Sequence, residues 1–243
     1  MVPNPTGLLK RLDIHTPLIG FYDAPETAPF APVVTPGRGH VCVFSFYDHW
    51  LQGQTLLLAG DNFGCGGASH HLGNRPTRER GEFLEFLVET EGLRESTEMM
   101  GRWVDSYRPF RKEHPYLLIG PLKDEQYDYL RTITFLVNPD QLSALVIGAN
   151  YHFTPGDPAP VLAPWGSGCG ELICDFVDLE VPQAAIGMTD LAMRHHVPPD
   201  VMAFTVTKPM FERLCALDER SFLGKAFLKN LRKARGADGL GGR

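Results

Sequence analysis

No two cysteines of this chain stand in a Cys-x-x-Cys pair, which removes the compact cluster and zinc motifs from consideration. No stretch approaches the roughly 20 apolar residues of a membrane span. Basic charge is scarce: 23 Lys and Arg face 29 Asp and Glu, a formal net charge of −6, which argues against broad nucleic-acid binding by counterion release. The opening residues Met1-Val2-Pro3-Asn4-Pro5 lack a basic-then-apolar leader pattern, so a cytoplasmic chain is expected. In that reducing setting its five cysteines are expected as thiols, metal ligands or reactive groups rather than disulfides.

What the chain does have is glycine around two of those cysteines. Gly64-Cys65-Gly66 and Gly168-Cys169-Gly170 are both Gly-Cys-Gly. With 25 glycines in 243 residues, a given cysteine is flanked on both sides only about one time in a hundred. Glycine strips away side-chain bulk and opens positive φ, so backbone amides can crowd a sulfur and another body can approach it.

The remaining pattern is that of an α+β (mixed α/β) chain, a central mixed sheet with packed helices. Strands are expected at 17–22, 54–59, 116–120, 132–137, 184–187 and 201–207, and helices at 40–50, 81–91, 97–107, 139–150 and 208–217. Asn138-Pro139 and Lys208-Pro209 each open a helix directly after a strand, as suits a proline whose missing N–H would be unpaired there. Gly120 to Pro139 spans 19 positions and Gly187 to Pro209 spans 22, which suggests an internal duplication of a strand–strand–Pro–helix unit. Residues 1–220 then form one domain. Residues 221–243, with Lys225, Lys229, Arg232, Lys233 and Arg235, form a basic helix and flexible tail, a solvated face before a partner or membrane surface.

Three readings of the cysteines stay open. Cys65 and Cys169 each precede a plausible helix start, where unpaired amides favour a thiolate. Together with Cys42 they could ligate a metal ion or an iron–sulfur cluster in a central pocket. Cys65 could instead be a nucleophile with His70 or His71 as its base. The plainest reading makes both cysteines small residues in tight turns. Cys174, about 140° around a helix from Cys169, and Cys215, beside Phe211 and Leu214, read as core. The histidine pairs His70-His71 and His195-His196 suggest metal, although helical neighbours diverge and surface histidine serves as well.

A non-redox alternative uses the Gly-rich loop 60–67, where Gly64, Gly66, Gly67 and Ser69 would cradle an anionic small molecule with backbone amides. No Lys-Ser or Lys-Thr follows that loop, so it is no phosphate loop of the nucleotide-binding kind. Asn138, Gln141 and Tyr151 could line a cleft at a strand's carboxyl end, with helix capping as the structural account of Asn138. Asp190 and Arg194, four apart, read as a helix-surface ion pair, or Arg194 as facing a ligand. Homo-oligomers are compatible with all of this.

Read in order, Cys42, Gly64-Cys65, Leu72-Gly73, Pro121-Leu122, Asn138-Pro139-x-Gln141, Ala149-Asn150-Tyr151, Cys169 and Gly187-x-x-Asp190 resemble the family of unknown function numbered 169, also called uncharacterised ArCR. The resemblance runs from about Pro17 to about Leu217 and supplies no substrate. Its spread among anaerobic bacteria and archaea implies oxygen-sensitive cluster chemistry by association. Cys42, Cys65 and Cys169 are the cysteines that match the family pattern, while Cys174 and Cys215 are particular to this chain.

Overall fold

The computed structural model describes residues 2–37, 41–58, 65–74, 78–164, 168–173 and 178–236. Its strands are β1 (Ile19–Ala24), β2 (Val33–Val34), β3 (Thr55–Leu57), β4 (Tyr116–Pro121), β5 (Leu130–Val137), β6 (Val161–Leu162), β7 (Ala184–Gly187) and β8 (Met202–Thr207). The helices are α1 (Thr6–Leu12), α2 (Tyr47–Leu51), α3 (Gly66–His71), α4 (Arg80–Glu85), α5 (Thr97–Ser106), α6 (Pro139–Asn150), α7 (Gly168–Ile173), α8 (Lys208–Cys215) and α9 (Ala226–Ala234). The strands form one eight-stranded mixed sheet in the order β2-β3-β4-β1-β5-β8-β7-β6, so the α+β expectation holds.

Side chains alternate across the strands as the pleat requires. Ile133, Phe135 and Val137 of β5 join Phe204 and Val206 of β8 in a core covered by α1, α6, α8 and α9. Leu136 and Ala203 point the other way, into a core with Phe44, Trp50, Ala68, Cys169 and Leu172, supplied by α2, α3 and α7. Hydroxyls line the middle of this second face: Thr134 and Thr205 bond across β5 and β8 at 2.8 Å, and Thr132 donates to the Leu172 carbonyl at 2.6 Å. The sheet thus carries helices on both sides.

The two strand–Pro–helix joints form as the proline positions suggest. Asn138 accepts the Gln141 N–H at 2.9 Å while the Gln141 side chain accepts the Asn138 N–H at 3.0 Å, a complete capping box. Thr207 accepts the Met210 N–H at 3.4 Å ahead of α8. The helices α6 and α8 then pack closely at Gly148, where a Cβ would come within 2.9 Å of Leu214. The first repeat unit is nonetheless interrupted. β7 pairs with β8, whereas β4 does not touch β5, because β1 lies between them and pairs antiparallel with both.

Three other expectations change. Of the helix expected at 40–50, residue 40 lies outside the described residues, and the rest is a 3-10 turn at Val43–Phe46 followed by α2, with Cys42 at the turn's N-cap. The expected helix at 81–91 is α4 followed by a π-helical stretch at Phe86–Thr90. The second Gly-Cys-Gly is the first turn of α7 rather than a loop, and all six residues of that helix are buried. Cys174 and residues 60–64, Gly64 among them, lie outside the described residues. Cys215 is half-buried and packs against the first core, as expected, where burial first and then the nearby Glu212 push its thiol up to about 12. The basic helix is docked: α9 buries Leu228, and Arg235 reaches Asp140 at 2.7 Å.

Candidate functional site

The helices α4 and α5, with the π-helical stretch between them, make a hairpin that buries its own small cluster of Leu87, Met100 and Val104, separate from both cores. Ser96 starts α5 by accepting the Met99 N–H at 3.2 Å. Between this hairpin and the second face of the body lies a cavity of about 500 Å³. Its roof is apolar and aromatic: Phe83, Phe86, Leu87, Met100, Trp103 and Val104. Its floor is polar and comes from three separate segments. Cys42 and Ser45 arrive from the 3-10 turn, Cys65, Gly66, Gly67, His70 and His71 from α3 and its N-cap, and Asp190, His195 and His196 from the segment after β7. Arg78 and Glu91 complete the lining, with the Arg78 guanidinium 4.3 Å from the Phe86 ring centre.

Each segment is held by identifiable contacts. His71 is buried, stacks edge-on against Tyr107 at 5.2 Å, and accepts the Phe110 N–H on its carbonyl at 2.8 Å, which fastens the hairpin's far end to α3. Glycine brings α7 against these elements. A Cβ on Gly168 would lie 2.5 Å from Phe44, and one on Gly170 would lie 2.7 Å from the His71 ring. The glycines of the second tripeptide therefore serve close packing. Cys169 between them is buried in the second core.

Cys42 and Cys65 share the cavity wall. Burial first, then the charges of Cys65 and Asp190, push the Cys42 thiol up to about 11 against two backbone amides that favour its anion, so at neutral pH it is a protonated thiol. The rings of His195 and His196 lie 3.8 Å apart on the same wall. Cys65 and His70, the thiol and imidazole paired in the sequence reading, both face this space.

Among the described residues, Cys42, Cys65 and Cys169 do not form a set whose donor atoms lie within 4.8 Å of one another; Asp23, Glu113 and His114 do. That spacing could hold a cation, but a cation is already there. Arg131 reaches Asp23 at 3.2 Å and Glu113 at 2.6 Å, while Asp23, fully buried, accepts the N–H groups of Glu113 at 2.7 Å and His114 at 2.9 Å. The guanidinium occupies the role a metal would take.

Other candidates from the sequence sit elsewhere. Asn138 and Gln141 cap α6, and Gln141 also donates to the Asp13 carbonyl at 2.8 Å, on the opposite face of the sheet. Tyr151 is exposed beside His152, and Ser69 is buried in α3 without lining the cavity. The Asp190–Arg194 ion pair is replaced. Asp190 caps a 3-10 turn by accepting the Ala192 N–H at 2.9 Å, and Arg194 donates to the carbonyls of Val201, Pro198 and Pro199. A 3-10 turn advances faster than an α-helix, so positions four apart no longer share a face. Missed from the sequence were the roof as a partner of the thiols and the buried Glu171. The apolar stripe Phe83, Phe86 and Leu87 was visible, but its neighbours were not.

Among the described residues no helix is long and apolar enough to cross a membrane. The model of the family described as uncharacterised ArCR, numbered 169, matches residues 8–216. No curated protein and no solved structure matches the chain.

Proposed function

The chain belongs to the uncharacterised ArCR family, whose description carries no activity, and from the site itself we propose that it binds a small, partly apolar organic molecule in the cavity beneath the α4–α5 hairpin. The observation that carries this reading is the cavity's make-up. It has the volume of a small-molecule site, about 500 Å³, with an aromatic roof opposite a floor of thiols, imidazoles and a carboxyl group. The roof takes the ligand's apolar part, and Cys42, Cys65, His70, Asp190, His195 and His196 face its polar part. Glu91 and Asp190 offset Arg78, which leaves little reason for an anion in preference to a neutral molecule.

The cavity-lining Trp103 and the dye anilinonaphthalene sulfonate supply the test. The dye is expected to brighten in the folded protein and to quench indole emission, and both effects are expected to vanish in Met100→Trp, which fills the roof. Dye uptake that Met100→Trp leaves unchanged overturns the reading.

A second reading is favoured by Cys42 and Cys65 facing one space together with His70, His195 and His196. These are soft donors, and a thiophilic metal ion or an iron–sulfur cluster would take its ligands from them, with Cys169 left in the core, although no three of their donor atoms lie within 4.8 Å of one another as placed. Anaerobic reconstitution followed by metal and sulfide analysis decides it. Stoichiometric metal lost in Cys42→Ser and Cys65→Ser supports this reading, and metal-free protein ends it.

A further inference from the structure

The cavity wall supplied by the segment after β7 has an unusual beginning. Gly187 ends the strand, and Met188 then adopts φ 63°, a left-handed conformation that a residue with a side chain keeps only where its surroundings hold it. What holds it comes from α7. Glu171, only 2% exposed, accepts the Met188 N–H on Oε2 at 2.6 Å and the Thr189 N–H on the same oxygen at 3.4 Å. The Thr189 hydroxyl donates to its other oxygen. Gly187 makes room for this, since a Cβ there would stand 3.0 Å from that of Glu171.

The grip runs in both directions. Asp190, one residue beyond Thr189, has its anion favoured by the backbone N–H of Gly168, the first residue of α7, and caps the turn that carries His195 and His196 by accepting the Ala192 N–H. Glu171 itself does not line the cavity, whereas Asp190, Met193, His195 and His196 do. We propose that Glu171 and Asp190 form a reciprocal clasp between α7 and the segment 188–196, and that Glu171 is a positioning residue that sets the polar wall of the cavity around Cys42. The proposal rests on reading this cavity as the binding site. Glutamine is the close mimic of this side chain, since it keeps the shape, an oxygen for the two amides and a polar group beside Thr189.

The test reads the wall through Cys42. Iodoacetamide labelling of the full chain, followed peptide by peptide by mass spectrometry, uses Cys215 on the opposite face of the sheet as internal reference. In Glu171→Ala, Cys42 is expected to label about tenfold faster relative to Cys215, because the segment opens locally. Glu171→Gln, which keeps an acceptor for both amides and a partner for Thr189, is expected to stay within about twofold of the parent protein. Dye affinity should fall in the alanine variant and recover in the glutamine one. An unchanged Cys42 to Cys215 ratio in Glu171→Ala overturns the clasp, as does a glutamine variant impaired as badly as the alanine. If Glu171→Ala does not fold, Thr189→Val removes one strand of the clasp while keeping side-chain shape, and faster labelling of Cys42 alone is expected; equal labelling overturns it. A dye that binds none of these proteins counts against the cavity reading only, since the labelling ratio is independent of any ligand.

Discussion

Gly170 carries no side chain because the ring of His71 already fills the place where one would go. Substituting Gly170→Ala puts a Cβ within 2.7 Å of that ring, which is itself wedged against Tyr107 and cannot retreat freely. Overpacking of this kind costs about 1–3 kcal/mol. Thermal unfolding should register it as a Tm lower by several degrees; an unshifted Tm would show that His71 yields. Asp23 gives a second residue-scale prediction. Asp23→Ala leaves the two amides at 113 and 114 and the Arg131 guanidinium without their buried acceptor, and the loss should be about 3 kcal/mol in denaturant titration. Because Arg131 is the cation of this group, adding or chelating divalent metal should leave the parent's Tm where it is. A metal-dependent Tm abolished by Asp23→Ala would show that an ion displaces the arginine.

At the scale of elements, those with their own local signals were legible. Asn138, Pro139 and Gln141 spell the start of α6, and the capping box forms as those side chains allow; Asn138→Ala should cost about 1 kcal/mol, read as a lower urea midpoint with unchanged m. Tyr116–Pro121, Ala184–Gly187 and Met202–Thr207 likewise follow from their apolar runs. The helix α7 was legible in part: a helix start was visible at Glu171-Leu172-Ile173, but not that Gly168-Cys169-Gly170 forms its first turn. Two glycines in six residues disfavour a helix by about 1 kcal/mol each, so the tripeptide reads as a turn, and its complete burial against Phe44, His71 and the sheet offsets that cost. The same tertiary dependence hid the site. Cys42 and Cys65 were picked out for their glycine context or family pattern, and they do face one cavity, but that the third cysteine lies in the core follows from how α7 is packed. The turn at Leu191–His196 defeated spacing arguments because a 3-10 turn was taken for an α-helix.

For the molecule as a whole, the buried acids make stability depend on pH. Glu171 is raised from an ordinary value of 4.5 to about 8 by burial, against the hydrogen bonds from Thr189 and Met188, and Asp190 is raised in the same direction, again chiefly by burial. A carboxyl that keeps its proton when folded and loses it when unfolded stabilises the fold fully below the unfolded value. Its contribution declines as pH rises through the window up to about 8 and is gone above it. Urea midpoints should therefore fall from pH 5 to pH 8, and Glu171→Gln should flatten the slope; a midpoint rising with pH, with the variant parallel to the parent, would contradict this. The position of β1 has a different kind of consequence. It precedes in the chain both strands that flank it, β4 and β5, which are encoded far downstream. Until β4 has been made both hydrogen-bonding edges of this strand wait without their native neighbours, and the second edge waits until β5 is complete at residue 137. The sheet therefore cannot assemble in chain order around β1, and pairings of such wide sequence separation make folding slower than local ones would.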